Sequence, residues 1–373
     1  MTEFCIATAA DKEEIIDFIN YVFSQAHRPH DFKKLSPKSY ADDAIDMGAV
    51  HYIAKKDGKI KAVVANRIID VSVDGKLLKY GLIGNVSVHP YSRGEGYMKE
   101  LMRMAIEDSR QRGVDLMALG GQRQRYGHFG FENAGANLQF TVTDQNIRHC
   151  FSRLDVSDMF LQDFEEASDE ALKQAIALYE VRAFHAIRPW AEYRNIMRSW
   201  NQLSRLILRR GQIIGYCSGS EIVLKNEEDL GAVLKLLFTV DALSKMELTV
   251  PPYQKERAAF LEGICEHCRI AETEQIRILN WEKVLQTLLS FKAGYTQLQN
   301  GTLLLNINGE GLQITVTKGI PSVQTVPAAE NFPRMTINEA QTRLFGLSSL
   351  LLPDSAFKNW SPLPFMIDPP DTY

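Results

Sequence analysis

Apolar residues recur at helical spacing near the start of the chain. Ile15, Ile16, Phe18, Ile19, Val22 and Phe23 follow Asp11 and predict an amphipathic helix. Two β-branched runs come next, His51–Lys55 and Ile60–Val64, joined by Lys56-Asp57-Gly58-Lys59. An Asp-Gly pair between such runs is a hairpin signal, because both residues accept the positive φ a tight turn needs. A second turn at Asp74-Gly75 leads into the run Gly81–Val88, which stops at Pro90. Helical periodicity then returns to about Arg112, with Met98, Leu101, Met102, Ala105 and Ile106 on one face. Past Gly113 the apolar run Leu116–Leu119, closed by Gly120-Gly121, reads as a buried strand. A helix crossing between the last two strands makes that pair parallel.

Between about 151 and 274 the order partly repeats. Leu206 to Tyr216 echoes the first hairpin, with the basic pair Arg209-Arg210 and Gly211 at its turn. A helix over Leu230–Lys245, a strand over Met246–Val250 and a helix over Tyr253–His267 follow. The last hundred residues differ. A helix over Trp281–Phe291 precedes a hairpin of Leu303–Ile307 and Leu312–Thr317, and a further helix opens at Thr336, whose Glu339 completes a capping-box pattern. The fold class expected is α+β, in three parts over residues 1–150, 151–274 and 275–373, with no low-complexity linker between them.

Composition narrows the function. With 45% apolar and 24% charged residues the chain reads as an ordinary soluble protein. Its 42 Lys and Arg against 46 Asp and Glu, a net charge of −4, argue against a nucleic-acid partner, which calls for a basic excess. The start carries no signal-peptide pattern, and no apolar run approaches the roughly 20 residues of a membrane span. Five scattered cysteines do not make a disulfide framework, so a reducing cytoplasm is the compartment expected.

The informative stretch is Asn85-Val86-Ser87-Val88-His89-Pro90-Tyr91-Ser92-Arg93-Gly94-Glu95-Gly96-Tyr97-Met98. It puts an arginine and two glycines where a strand gives way to a helix. Unpaired N–H groups and the positive end of the helix dipole suit a pyrophosphate there, glycines allow close approach, and Arg93 adds charge-assisted hydrogen bonds. The spacing is neither a P-loop nor a Rossmann fingerprint.

On these residues the sequence resembles the GCN5-related N-acetyltransferases (GNAT), whose acetyl-CoA loop follows Gln/Arg-x-x-Gly-x-Gly/Ala. Met98 stands at the last position instead of a small residue. The nearer resemblance is to the enhanced intracellular survival (Eis) branch, and Tyr126-Gly127-His128-Phe129-Gly130-Phe131 carries it most sharply. That resemblance implies two tandem GNAT-like domains, the second degenerate, and a C-terminal sterol-carrier-like domain. It implies acetyl-CoA as co-substrate, no metal, a primary amine acceptor (a polyamine, an aminoglycoside-like molecule or a lysine side chain), and a ring-like homo-oligomer such as a hexamer.

The resemblance also implies roles. Val86, Ser87 and Val88 would line the strand beside the pantetheine arm, and the Val88 N–H would polarise the thioester carbonyl. Arg93, Gly94, Glu95, Gly96, Tyr97 and Met98 would hold the pyrophosphate, with Gly121 and Gln122 alongside. Tyr126 would protonate the departing thiolate, and the terminal carboxylate of Tyr373 would receive the amine's proton, directly or through water.

Other candidates read as packing or incidental. Cys265-Glu266-His267-Cys268 falls on the helical pattern with no second ligand pair nearby. His89 and His128 sit beside the expected site without a necessary role. Trp190, Tyr193 and Trp200 read as core or interface, with the acceptor pocket as the other reading. The helix of the middle part begins Asn226-Glu227-Glu228-Asp229, whose carboxylates would repel a pyrophosphate, so one CoA site per chain is expected. The rival from another class is a non-catalytic protein holding an apolar ligand in its C-terminal domain.

Overall fold

The computed structural model describes residues 1–25, 28–351 and 356–373. It is a mixed α+β protein, the class expected. The first part supplies β1 (Thr2–Ile6), α1 (Lys12–Ser24), β2 (Val50–Lys56), β3 (Lys59–Val73), β4 (Lys76–Val88), α2 (Tyr97–Gln111), β5 (Leu116–Leu119), β6 (Glu132–Ala134) and β7 (Asn137–Thr143). Both Asp-Gly turns form as expected, with Asp57, Gly58, Asp74 and Gly75 all at positive φ. β4 and β5 pair in parallel from Tyr80↔Leu116 to Leu82↔Ala118, the direction the helical crossover requires.

The middle part holds α3 (Asp144–Phe151), β8 (Met159–Asp163), α4 (Asp169–Glu180), β9 (Phe184–Ala186), β10 (Ser204–Arg209), β11 (Gln212–Ser218), β12 (Glu221–Leu224), α5 (Leu230–Val240), β13 (Lys245–Val250), α6 (Lys255–Glu262), β14 (His267–Ala271) and β15 (Glu274–Ile278). The hairpin around Gly211 is β10–β11. Two helices are shorter than their periodicity suggested. α5 stops at Val240, two residues before Ala242 takes a positive φ. α6 ends at Glu262, and His267 and Cys268 lie on β14 instead of a helix, because backbone pairing with β7 claims them.

The last part contributes α7 (Trp281–Tyr295), β16 (Gly301–Ile307), β17 (Glu310–Thr317), β18 (Ile320–Val326), β19 (Arg334–Met335) and α8 (Ile337–Phe345). Thr336 caps α8 and its capping box with Glu339 is closed. Leu305, Ile307, Leu312 and Ile314 face α7 in a core shared with Leu82, Leu116 and Ala118.

Strands exchange between the parts. The main sheet runs β1-β2-β3-β4-β5-β15-β6, with β9 on the far end of β3. β15 is thus wedged between two strands of the first part, and β7 sits between β13 and β14 of the middle part. After Phe357 the chain crosses the molecule and arrives at β4, where Tyr373 lies against Gly84. Among the described residues no helix is long and apolar enough to cross a membrane.

Candidate active site

β4 loses its neighbour on one side where the site begins. Its pairing with β5 ends at Leu82↔Ala118, yet β4 continues to Val88 against β3. The register with β3 shifts between Val63 and Ala65, and Asn85 takes a φ of 48° there, the signature of a bulge. His89 donates its N–H to Lys61 of β3. Backbone groups alternate across a strand, so the N–H of Val88 points to the opposite edge, away from β3.

The split opens a cavity of about 450 Å³. Gly84, Asn85 and Val86 form one wall, Gly120 and Glu274 another, and Tyr126, Trp200 and Tyr373 close it. Three sequence-predicted residues, Val86, Tyr126 and Tyr373, are therefore brought together from positions as far as 287 residues apart. Burial raises the phenol of Tyr126 above its ordinary value, which keeps it protonated at neutral pH.

The turn that carries Tyr126 is held from outside. Asn338 and Gln341 of α8 donate to the carbonyls of Gly127 (3.1 Å) and Gly130 (2.9 Å), and Arg277 of β15 donates to that of Phe129. Gly121, at a φ of 138°, leaves space for the ring, since a Cβ there would stand 2.9 Å from Tyr126 Cε2.

The glycine loop follows β4 by one short turn. Gly96 precedes α2 at a φ of 82° and Gly94 sits at 87°. Neither has any atom within 4 Å of the place a Cβ would occupy, so both backbones are open to an approaching group. Glu95, the anion in this loop, is engaged by Lys56 (2.8 Å) and Tyr97 (2.7 Å), and these bonds hold its carboxyl below the usual range.

Tyr373 arrives on a tail pinned by buried polar groups. Arg182 binds Asp368 at 2.9 Å, and Arg188 reaches both Glu221 (2.7 Å) and Asp371 (2.8 Å). Lys38 donates to the carbonyls of Pro370 (2.8 Å) and Thr372. The Tyr373 hydroxyl meets that of Tyr40 at 2.9 Å, and Tyr40 in turn contacts Asn85 (2.6 Å) and His51 (2.8 Å).

Other predicted residues lie near the cavity without lining it. Ser87 is buried and donates to the Asn85 carbonyl (3.0 Å), Val88 ends β4, and Arg93 to Met98 occupy the loop and the start of α2. Gly121 accepts a bond from Gln275 (2.6 Å), and Gln122 caps the Tyr126 turn. His89 stacks on Phe18 and Tyr21 away from the cavity, and His128 is exposed. The tryptophan cluster divides: Trp200 faces the cavity, Tyr193 is core, and Trp190 stacks on Tyr193.

Sequence reasoning missed Gly84 and Glu274. A glycine inside an otherwise apolar strand is a sign of close approach. Glu274 is in phase with Ile276 and Ile278, so period-two reading already puts a carboxylate on a buried face. The three carboxylates Glu221, Asp368 and Asp371 come close enough to suit a cation, but Arg182, Arg188 and Tyr179 already bind them.

Comparison with known proteins supplies the class. Residues 4–134 match the family model described as an acetyltransferase (GNAT) domain. A search of curated proteins finds no match. Among solved structures, a probable N-acyltransferase from Enterococcus faecalis V583 aligns at a TM-score of 0.67 with 16% identity, over 92% of this chain and 89% of that one. Eis1 from Mycobacterium abscessus aligns at 0.65 with 14% identity over 100% of both chains. A GCN5-related N-acetyltransferase from Anabaena variabilis aligns at 0.66 with 13% identity, also over 100% of both. The fold of the whole chain is therefore that of these proteins. With residues 4–134 matching an acetyltransferase (GNAT) domain, the chain is an acyltransferase.

Proposed function

We propose that this acyltransferase moves an acetyl group from acetyl-CoA to a primary amine. The observation that carries the reading is the unpaired edge of β4 beyond Leu82, which opens into the cavity that Tyr126 and Tyr373 share. In this reading the pantetheine arm pairs with Val86, Ser87 and Val88 as an added strand, and the Val88 N–H stabilises the oxyanion. Arg93, Gly94, Glu95, Gly96, Tyr97 and Met98 receive the pyrophosphate, with Gly121 and Gln122 beside the cofactor.

An amine attacks only when neutral, and an ordinary alkylamine has a pKa of about 10.4. Two protons must leave its nitrogen before the amide is complete. Tyr126 gives its proton to the thiolate as the C–S bond breaks, and the carboxylate at Tyr373 accepts the proton shed as the C–N bond settles, directly or through water. Holding both reactants in the cleft contributes further by proximity.

The same reading divides the chain into an N-terminal GNAT domain (1–150), a degenerate second copy (151–274) and a sterol-carrier-like domain (275–373). It takes the chain as an Eis-like, ring-forming homo-oligomer of the cytoplasm with one CoA site per chain. The start of the middle helix α5 favours a single site, because it reads Asn226-Glu227-Glu228-Asp229 with no Arg-x-x-Gly loop before it. An apolar-ligand carrier is not favoured, since the apolar residues of β16 and β17 are buried in one core together with those of α7.

Calorimetry with acetyl-CoA and a thiol-release assay over a panel of primary amines test the reading. Tyr126→Phe should lower kcat by roughly 10² to 10⁴, the usual worth of a general acid, while KM for acetyl-CoA stays nearly unchanged. A fully active variant would return this tyrosine to a packing role.

A further inference from the structure

Glu274 is a carboxylate without a structural reason to be where it is. It opens β15, opposite Ala134 of β6, and turns its side chain to the cavity behind Gly120. Its Oε2 is sealed from solvent and has no hydrogen-bond partner. Leaving such a group unmet costs free energy that folding must offset elsewhere. A half-buried carboxylate whose Oε2 is left unmet suits a cation that arrives later.

Glu274 and Tyr126 line the same cavity. Gly120 and Gly121 are consecutive, and each lies against one of the two groups. A Cβ on Gly120 would stand 3.4 Å from Glu274 Oε2, and one on Gly121 would stand 2.9 Å from the Tyr126 ring. A proton donor and a carboxylate thus flank the same two-residue step at the end of β5.

Glu274 also borders a second cavity, of about 330 Å³, that shares Ile367 and Thr372 with the first. The ionisable groups around the two spaces are accounted for separately. His30, Arg125, Tyr126 and Tyr373 line the first, and Arg182, Glu221, Arg257, Glu272 and Asp368 the second. Arg182 is taken by Asp368, Glu221 by Arg188 and Arg257 by Glu227, while Glu272 accepts from Asn133 at 2.7 Å.

We infer that Glu274 takes the first proton from the acceptor's ammonium group and thereby selects a primary amine that arrives as a cation. The inference rests on the acyl-transfer reading and assigns one further residue to it. Burial alone, with no charged neighbour contributing, pushes this carboxyl up to about 7, a value suited to a base that must accept a proton near neutrality and release it again.

The protons balance. Glu274 receives one from R–NH₃⁺, and the neutral nitrogen then attacks the thioester carbonyl carbon. The intermediate collapses with loss of the C–S bond, and the thiolate takes the Tyr126 proton. The nitrogen's second proton passes to the chain end and back to the Tyr126 phenolate. Glu274 then releases its proton to solvent, the single net proton of the reaction.

Glu274→Gln keeps the shape and removes the base. With an alkylamine acceptor at pH 7, kcat should fall by roughly 10² to 10⁴, while KM for acetyl-CoA is unchanged. Raising the pH, which neutralises the amine in solution, should restore much of the loss, and the acidic limb of the wild-type pH–rate profile near 7 should vanish. Wild-type rates and an unmoved acidic limb would overturn the assignment while leaving acetyl transfer itself intact.

A second measurement does not depend on turnover. Isotope-edited infrared spectroscopy of the wild-type protein should show a carboxyl band that titrates near pH 7, is missing in Glu274→Gln, and ionises when spermidine is added. A band that titrates in the ordinary carboxylate range, or that no amine of the panel moves, overturns the inference whatever the activity. Thermal melting controls for folding, and the variant should be the more stable protein above pH 7, because it buries no charge.

Discussion

Gly84 lies where the ring of Tyr373 crosses β4, and a Cβ at that position would occupy the space of the ring itself. Gly84→Ala must therefore displace either the strand or the tail. Overpacking of this kind typically costs about 1–3 kcal/mol, so chemical denaturation should report a loss in that range, with turnover reduced because Tyr373 no longer reaches the cavity. An unchanged midpoint and rate would show that the tail is seated elsewhere in solution. Lys38 is the second residue-scale device. Burial, with Arg67 adding to it, pulls its ammonium from the ordinary 10.5 down to about 7. A neutral amine still has two N–H groups, enough for the carbonyls of Pro370 and Thr372. Between pH 7 and 10.5 the unfolded chain holds more protons at this site than the folded one, so stability rises with pH across that window. The penalty is complete below 7. Lys38→Met removes the dependence, and the wild-type stability should climb more steeply than the variant's by up to about 1.4 kcal/mol per pH unit. Parallel stability curves for the two proteins would contradict this.

At the scale of elements, α2 and the loop before it behave as their sequence suggests. Gly94 and Gly96 adopt positive φ, their backbones are uncovered, and Glu95 is paired with Lys56 and accepts a hydrogen bond from Tyr97. Gly96→Asp adds a side chain and a negative charge at the helix N-terminus. Acetyl-CoA affinity should drop at least about tenfold by calorimetry, with circular dichroism unchanged, since a charge placed there opposes the phosphates that the helix end otherwise favours. Equal affinities would remove this loop from the site. The β2–β3–β4 meander was legible for the same local reason, as Asp-Gly turns and β-branched runs are decided within a few residues. β6, β7 and β15 were not. They are three to seven residues long, and what makes them strands is a partner more than a hundred residues away in the chain for β7 and β15.

For the whole molecule, the decisive feature is the tail. Lys38, Arg182, Arg188 and Tyr40 draw contacts from the first and middle parts onto Asp368, Pro370, Asp371, Thr372 and Tyr373. Adding a few residues after Tyr373 would replace the carboxylate there by an amide and push the charge away. Turnover should drop sharply while acetyl-CoA binding persists, because the loop of Gly94 and Gly96 is held by α2 and by the Lys56–Glu95 contact and not by the tail. Tyr373→Phe should be far milder, since Tyr40 keeps Asn85 and His51 when the second hydroxyl is gone. An extended protein that melts normally and acetylates at the original rate would exclude the carboxylate from the reaction.

What the sequence determined by itself was local chemistry and local geometry. The glycine loop, the crossover helix and the parallel direction of β4 and β5 are each set by residues near one another in the chain, whereas the Tyr126 turn is also held by Asn338, Gln341 and Arg277. Tertiary structure decided what meets across the cavity. Glu274 enters the site on a strand inserted from the middle part, Tyr373 on a tail threaded back to its Gly84 seat on β4, and Trp200 from the turn at Ser199–Asn201. The physical reason is that these contacts depend on burial and on distant backbone pairing. His89, adjacent to the glycine loop in sequence, stacks outside the cavity, while Glu274, 154 residues after Gly120, faces into it.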